Sequence, residues 1–166
     1  MKRSILTPAI IAALIVAVTA TPATATTGVP VGVETRMAAT SQAHGKDITL
    51  TGPPAPRGAH ISATPTISPS VKTTTVPAGG TYSCPSGTFC AAVWNGAAWK
   101  IFLLYSCHIY DLYNWTGTGY WVNNQSPGAP SPYLLDSQGI PSSVLARSPS
   151  YDTADWDPVY SISNCY

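Results

Sequence analysis

All four cysteines and all of the aromatic residues (5 Trp, 9 Tyr and 2 Phe) lie between Tyr82 and Tyr166 of a 166-residue chain. Aromatic side chains bury the most surface each and dominate the energetics of small cores. A stretch that lacks them has little with which to build a core. The partition therefore confines the expected fold to the C-terminal half and makes the first half address and tether. It predicts three parts: residues 1–25, 26–80 and 81–166.

The first part reads as an export signal. Lys2 and Arg3 precede a nearly apolar run over residues 5–20. Its stretch over residues 9–20 is too short to cross a bilayer of ~30 Å as a helix. Ala23 and Ala25 supply the small residues that a signal peptidase accepts, with Ala20 as a rival site. This is the pattern of a secretory signal peptide. It implies a secreted, extracellular protein with no membrane segment after cleavage.

Residues 26–80 are rich in Thr, Pro, Ala, Ser and Gly and show no apolar periodicity. Pro53-Pro54-Ala55-Pro56 favours an extended polyproline-like chain. Such a composition buries too little to offset its ordering entropy. The expectation is a disordered linker or propeptide. Ile48-Thr49-Leu50 could form a short strand, but the composition outweighs it.

Charge excludes nucleic acid as a partner. The chain holds 8 Lys and Arg against 7 Asp and Glu. Two of the cations leave with the signal peptide, so the mature chain has a balance of about −1. From residue 81 onward only Lys100 and Arg147 oppose Asp111, Asp136, Asp152, Asp155 and Asp157. A phosphate-binding face needs clustered Lys and Arg.

A domain of about 86 residues is marginal on its core alone. Export and four cysteines suggest two disulfides as the remedy. The favoured pairing is Cys84 with Cys90, across Pro85-Ser86-Gly87-Thr88-Phe89, and Cys107 with Cys165. The pairing Cys84–Cys107 with Cys90–Cys165 stays open. The spacings do not suit zinc, whose sites use close cysteine pairs. Cys107-His108 is the only hint of thiol chemistry, and strand neighbours point to opposite faces.

The local pattern is β. Residues 88–94 predict a strand, Asn95-Gly96 a hairpin turn, and residues 99–105 a return strand covered on both faces. Further strands are expected at 120–122, 133–135, 144–146 and 159–162. A short helical turn is allowed over 109–114. Gly- and Pro-rich turns separate these runs. The pattern argues for an all-β domain, a β-sandwich with Greek-key connections.

The order Cys84-Pro85-Ser86-Gly87-Thr88-Phe89-Cys90, a hairpin ending near Cys107, Tyr113-Asn114-Trp115, Trp121-Val122-Asn123-Asn124-Gln125 and Tyr133-Leu134-Leu135 resembles a known family. It is similar to the secreted actinomycete peptidase inhibitors whose type members act on metalloproteinases. The resemblance covers about residues 82–166 and implies a βγ-crystallin-like fold, a double Greek-key sandwich. It also implies the Cys84–Cys90 bridge. Type members bracket their inhibitory loop with a second close cysteine pair, and Cys107 and Cys165 stand too far apart for that. Related crystallin folds bind calcium through paired Asn or Asp followed by Ser-Ser. Gln138-Gly139-Ile140-Pro141-Ser142-Ser143 and Asn123-Asn124-Gln125-Ser126 echo that motif but bring no carboxylate.

Two functions follow as expectations. The first is a monomeric inhibitor that meets an extracellular protease through Ser126-Pro127-Gly128-Ala129-Pro130-Ser131-Pro132, a segment its prolines stiffen. The second is a module for cell-wall or other glycans that stacks them on exposed Trp94, Trp99, Trp115, Trp121 and Trp156. An enzyme is not expected: residues 81–166 hold no Glu, one His and no nucleophile elbow. No cofactor is expected. Asp152, Asp155 and Asp157 read as a solvated acidic loop, with calcium as the alternative.

Overall fold

Short β-branched and aromatic runs punctuated by Gly, Pro and Asn make strands throughout, and the computed structural model contains no helix among its described residues. The structure describes residues 39–40, 45–57 and 63–165. The strands are β1 (Ala39–Thr40), β2 (Ile48–Thr51), β3 (Thr66–Ser68), β4 (Lys72–Val76), β5 (Thr81–Cys84), β6 (Thr88–Trp94) and β7 (Trp99–Leu104). They continue with β8 (Ile109–Tyr113), β9 (Thr118–Asn124), β10 (Tyr133–Leu135), β11 (Pro141–Val144), β12 (Ser150–Asp155) and β13 (Ser161–Ser163). The expected signal peptide lies outside the described residues.

Three antiparallel sheets result. A central sheet runs β12-β9-β6-β7-β4, a second five-stranded sheet runs β11-β10-β13-β8-β3, and a small sheet runs β1-β2-β5. Successive strand residues face opposite ways, and β6 uses both faces. Phe89, Ala91 and Val93 join Phe102, Trp121, Leu134, Trp156 and Ile162 in a core between the two large sheets. Cys90, Ala92 and Trp94 join Ile48, Leu50, Tyr82, Trp99 and Val122 in a second core under the small sheet. The central sheet is therefore covered on both sides, which is why every residue of β6 is buried.

The connectivity repeats. In β6 to β9, the first strand pairs with the second and fourth, while the third, β8, crosses to the other sheet. In β10 to β13, the first strand again pairs with the second and fourth, and the third, β12, crosses back. Each exchanged strand pairs with the fourth strand of the other unit. The earlier strands β3 and β4 then extend the two sheets at β8 and β7.

This overturns the expected tether over residues 26–80 wherever that stretch is described. β2, β3 and β4 are hydrogen-bonded members of the sheets, and the compact unit runs over Glu34–Tyr166. β3 and β4 contribute too few apolar residues to leave a periodic signal, whereas β2 is the short alternating run Ile48-Thr49-Leu50 that the surrounding composition outweighed. A preformed sheet edge supplies the backbone partners and the apolar cover that they cannot supply themselves. The helical turn allowed over 109–114 is strand β8, ended by Asn114 at a φ of 61°. The strand expected at 144–146 lies earlier, at Pro141–Val144, and the last strand is Ser161–Ser163 rather than 159–162.

Both favoured disulfides are present. Cys84–Cys90 has a Cα separation of 6.0 Å and Cys107–Cys165 one of 5.2 Å. Two disulfides suit a protein of an oxidising, extracellular compartment.

Candidate functional site

The candidate contact loop joins β9 to β10 and so passes from the central sheet to the second sheet. Its tip is a turn: the Ala129 amide donates to the Ser126 carbonyl at 3.0 Å. Pro127 takes the first central position, where its fixed φ fits. Gly128 takes the second at a φ of 86°. That is the residue pair a type II turn demands. Ser126, Pro127, Gly128 and Pro130 are exposed, and Pro132 is buried. The tip is small and uncharged.

Both ends of the loop are clamped by the segment between β11 and β12. The Ser148 hydroxyl donates to the Gln125 carbonyl at 2.6 Å, and the Leu145 amide donates to the Pro132 carbonyl at 2.9 Å. Asn123 ties the same segment down from below, its Nδ2 donating to the Ala146 carbonyl at 3.0 Å.

Beneath the loop lies a buried amide network. Gln125 is 7 % exposed and Asn164 is 1 % exposed. Gln125 Nε2 donates to the carbonyl and to the Oδ1 of Asn164 at 3.0 and 3.3 Å. Asn164 Nδ2 donates in turn to the Leu104 and Ser106 carbonyls at 3.2 and 3.0 Å. Asn164 immediately precedes Cys165, so the Cys107–Cys165 bridge sits at the far end of this network. Gln125 Oε1 is buried and meets no donor among the described residues. Buried amides earn a place only when paired, and here the pairing fixes the loop's entry angle.

The sequence-predicted aromatic platform is overturned. Trp94, Trp99, Trp115, Trp121 and Trp156 are between 0 and 6 % exposed. Three of the indoles are pinned by their N–H: Trp99 to the Pro53 carbonyl, Trp115 to the Thr66 carbonyl and Trp156 to the Ala92 carbonyl. They pack in edge-on pairs, Trp94 with Trp99 and Trp115 with Trp156. A three-layered core needs more aromatic filling than a two-layered one, and it absorbs all five. Among the described residues the large exposed aromatics are tyrosines: Tyr105, Tyr113, Tyr151 and Tyr160.

The acidic stretch is no loop. Asp152 and Asp155 lie on edge strand β12, and Asp157 follows it. One oxygen of each is engaged by a backbone amide: Asp152 Oδ1 takes the Thr153 amide, Asp155 Oδ1 the Asp157 amide and Asp157 Oδ1 the Gly117 amide at 2.9 Å. Among the described residues no three acidic, His or Cys side chains converge as a metal site would require.

A second concave feature was not read from the sequence. Lys72, Tyr105, His108 and Tyr110 line a cleft of about 310 Å³ where the β3–β4 connection meets the β7–β8 connection. Half of it comes from the stretch expected to be tether. For the other half the sequence offered only Cys107-His108, read there as a hint of thiol chemistry.

No protein-family model matches the chain, and no curated protein or solved structure is significantly similar to it.

Proposed function

We propose that the protein is a secreted peptidase inhibitor that blocks an extracellular protease with the loop Ser126 to Pro132, on a crystallin-like scaffold of two Greek keys. The observation that carries this reading is the state of the loop: a prolyl type II turn, exposed at its tip and clamped at both ends. A segment already held in one conformation loses little entropy when a protease groove closes on it. A flexible one of the same sequence would bind weakly and be cut.

The scaffold reading is supported by the repeated connectivity, in which the third strand of each four-strand unit is exchanged between sheets. Export is supported by the two disulfides. Inhibition needs no catalytic group from this chain, only a rigid surface that excludes substrate.

The test is a titration of thermolysin-like and subtilisin-like proteases with the disulfide-intact protein. Inhibition at micromolar concentration, with the loop left uncut, is the expected result. Full protease activity throughout would end this reading.

A further inference from the structure

The cleft between the β3–β4 and β7–β8 connections gathers chemistry that the loop reading does not use. Tyr105 is 53 % exposed and forms part of its wall, while Tyr110 is 3 % exposed and lies deep in it. The Tyr110 hydroxyl is occupied, donating to the Ser106 carbonyl at 3.1 Å. Ser70 and Ser106 are exposed on the rim.

His108 has a defined tautomer when neutral. Its Nδ1 lies 2.7 Å from the Ile109 carbonyl. A carbonyl only accepts, so Nδ1 carries the proton and Nε2 keeps its lone pair. Lys72 is the one fixed charge lining the cleft, and no carboxylate lines it. Among the described residues the Lys72 ammonium has no ion pair. The nearest acid on the strands that flank the cleft, Asp111, stands opposite Ser68 and accepts from the Ser161 hydroxyl rather than lining the cleft, so the lining itself is a local cationic spot.

We propose that this cleft binds one ring of a sugar acid. The carboxylate sits against the Lys72 ammonium. The flat apolar face of the ring stacks on Tyr105, and ring hydroxyls meet His108 Nε2 and the Ser70 and Ser106 hydroxyls. A mixture of one cation, several hydroxyls and one aromatic face matches a ring carrying one carboxylate and several hydroxyls. The volume lies at the small end of ligand pockets, ~300–1,000 Å³, which suits a single ring. This site stands independently of the inhibitor reading.

The experiment titrates the disulfide-intact protein with galacturonic and glucuronic acid, and with galactose and glucose as their neutral counterparts. Calorimetry and saturation-transfer NMR provide the readouts. The acids bind with a Kd of roughly 1 mM, and the neutral sugars about fivefold more weakly, the scale of an exposed ion pair. Lys72→Ala brings the acids down to the neutral sugars and leaves the neutral sugars unchanged. Tyr105→Ala weakens all four by about fivefold. Both side chains are exposed, so the unfolding midpoint should not move; Lys72→Gln and Tyr105→Leu serve if it does. The proposal is overturned if no acid binds at tens of millimolar, if acids and neutral sugars bind alike, or if Lys72→Ala keeps the preference. Tighter binding of an acetylated dipeptide ending in Phe overturns it too, since the cleft would then read a peptide carboxylate.

Discussion

Tyr82 puts a hydroxyl into the core under the small sheet, where it meets no partner among the described residues. Burial, and secondarily the nearby Tyr120, pushes its ionisation well above the ordinary tyrosine value. Burial raises Tyr120 as well. The consequence for stability has a fixed sign. A group that keeps its proton longer in the folded state contributes fully below the unfolded pKa, ~10 for Tyr, and loses that contribution as pH rises beyond it. Stability should therefore hold up to about pH 10 and fall above it. Tyr82→Phe removes an unpaired hydroxyl without opening a cavity. It should be neutral or stabilising by up to about 1 kcal/mol and should flatten the alkaline fall in urea titrations. At the loop, Gly128 holds a φ of 86° that a β-branched residue resists. Gly128→Val should cost about 1–2 kcal/mol and, on the inhibitor reading, weaken inhibition at least about tenfold. Thermal unfolding and protease titration of the same sample separate the two effects.

At the scale of the strand, close packing decides which residues are replaceable. Gly119 on β9 lies under the indole of Trp156, whose N–H reaches the Ala92 carbonyl at 3.1 Å. A Cβ at Gly119 would collide with both the indole nitrogen and that carbonyl. Gly119→Ala should therefore cost about 3 kcal/mol or more, from overpacking together with a lost buried hydrogen bond. The drop in denaturation midpoint measures it. Elements of this kind were unevenly legible. β6, β7 and β10 carry enough Val, Ile, Leu, Phe, Tyr and Trp to announce themselves, while the turn between the first two closes one residue later than Asn95-Gly96 predicted, over Gly96-Ala97, with the Asn95 amide donating to the Ala98 carbonyl at 2.9 Å. β12 was hidden because its residues, Ser150 to Asp155, are mostly exposed polar ones on an edge strand. Its place depends on pairing with β9, which no local pattern encodes. The same holds for the amide network under the loop, since Gln125 and Asn164 are 39 residues apart.

For the whole molecule, the question is where the folding unit starts. Ile48, Leu50 and Ile67 are buried against the two cores. Each such side chain contributes about 1.5–3 kcal/mol as an upper figure, against a total stability of ~5–15 kcal/mol for a domain. A fragment beginning at Thr81 should thus be unfolded or bind hydrophobic dyes, while one beginning at Glu34 should unfold cooperatively. Circular dichroism melts of the two distinguish these outcomes; equal melts would show β2 to β4 to be dispensable. The Cys107–Cys165 bridge closes a sequence separation of 58 residues. Replacing both cysteines with serine should cost about 4 kcal/mol on the loop-entropy account, and should loosen the Gln125 loop through Asn164.

By itself the sequence determined the β class, the aromatic core material and the strands richest in it. Those follow from side-chain type and spacing, which act locally. Only the tertiary structure decided that the aromatic-free stretch completes two sheets and covers a third layer. It alone decided that all five Trp are core and that Lys72, Tyr105 and His108 share one cleft. The physical reason is that burial and sheet pairing belong to the partner surface as much as to the residue. A poor strand at a good edge folds, and a Trp is a platform or a core residue according to what lies above it.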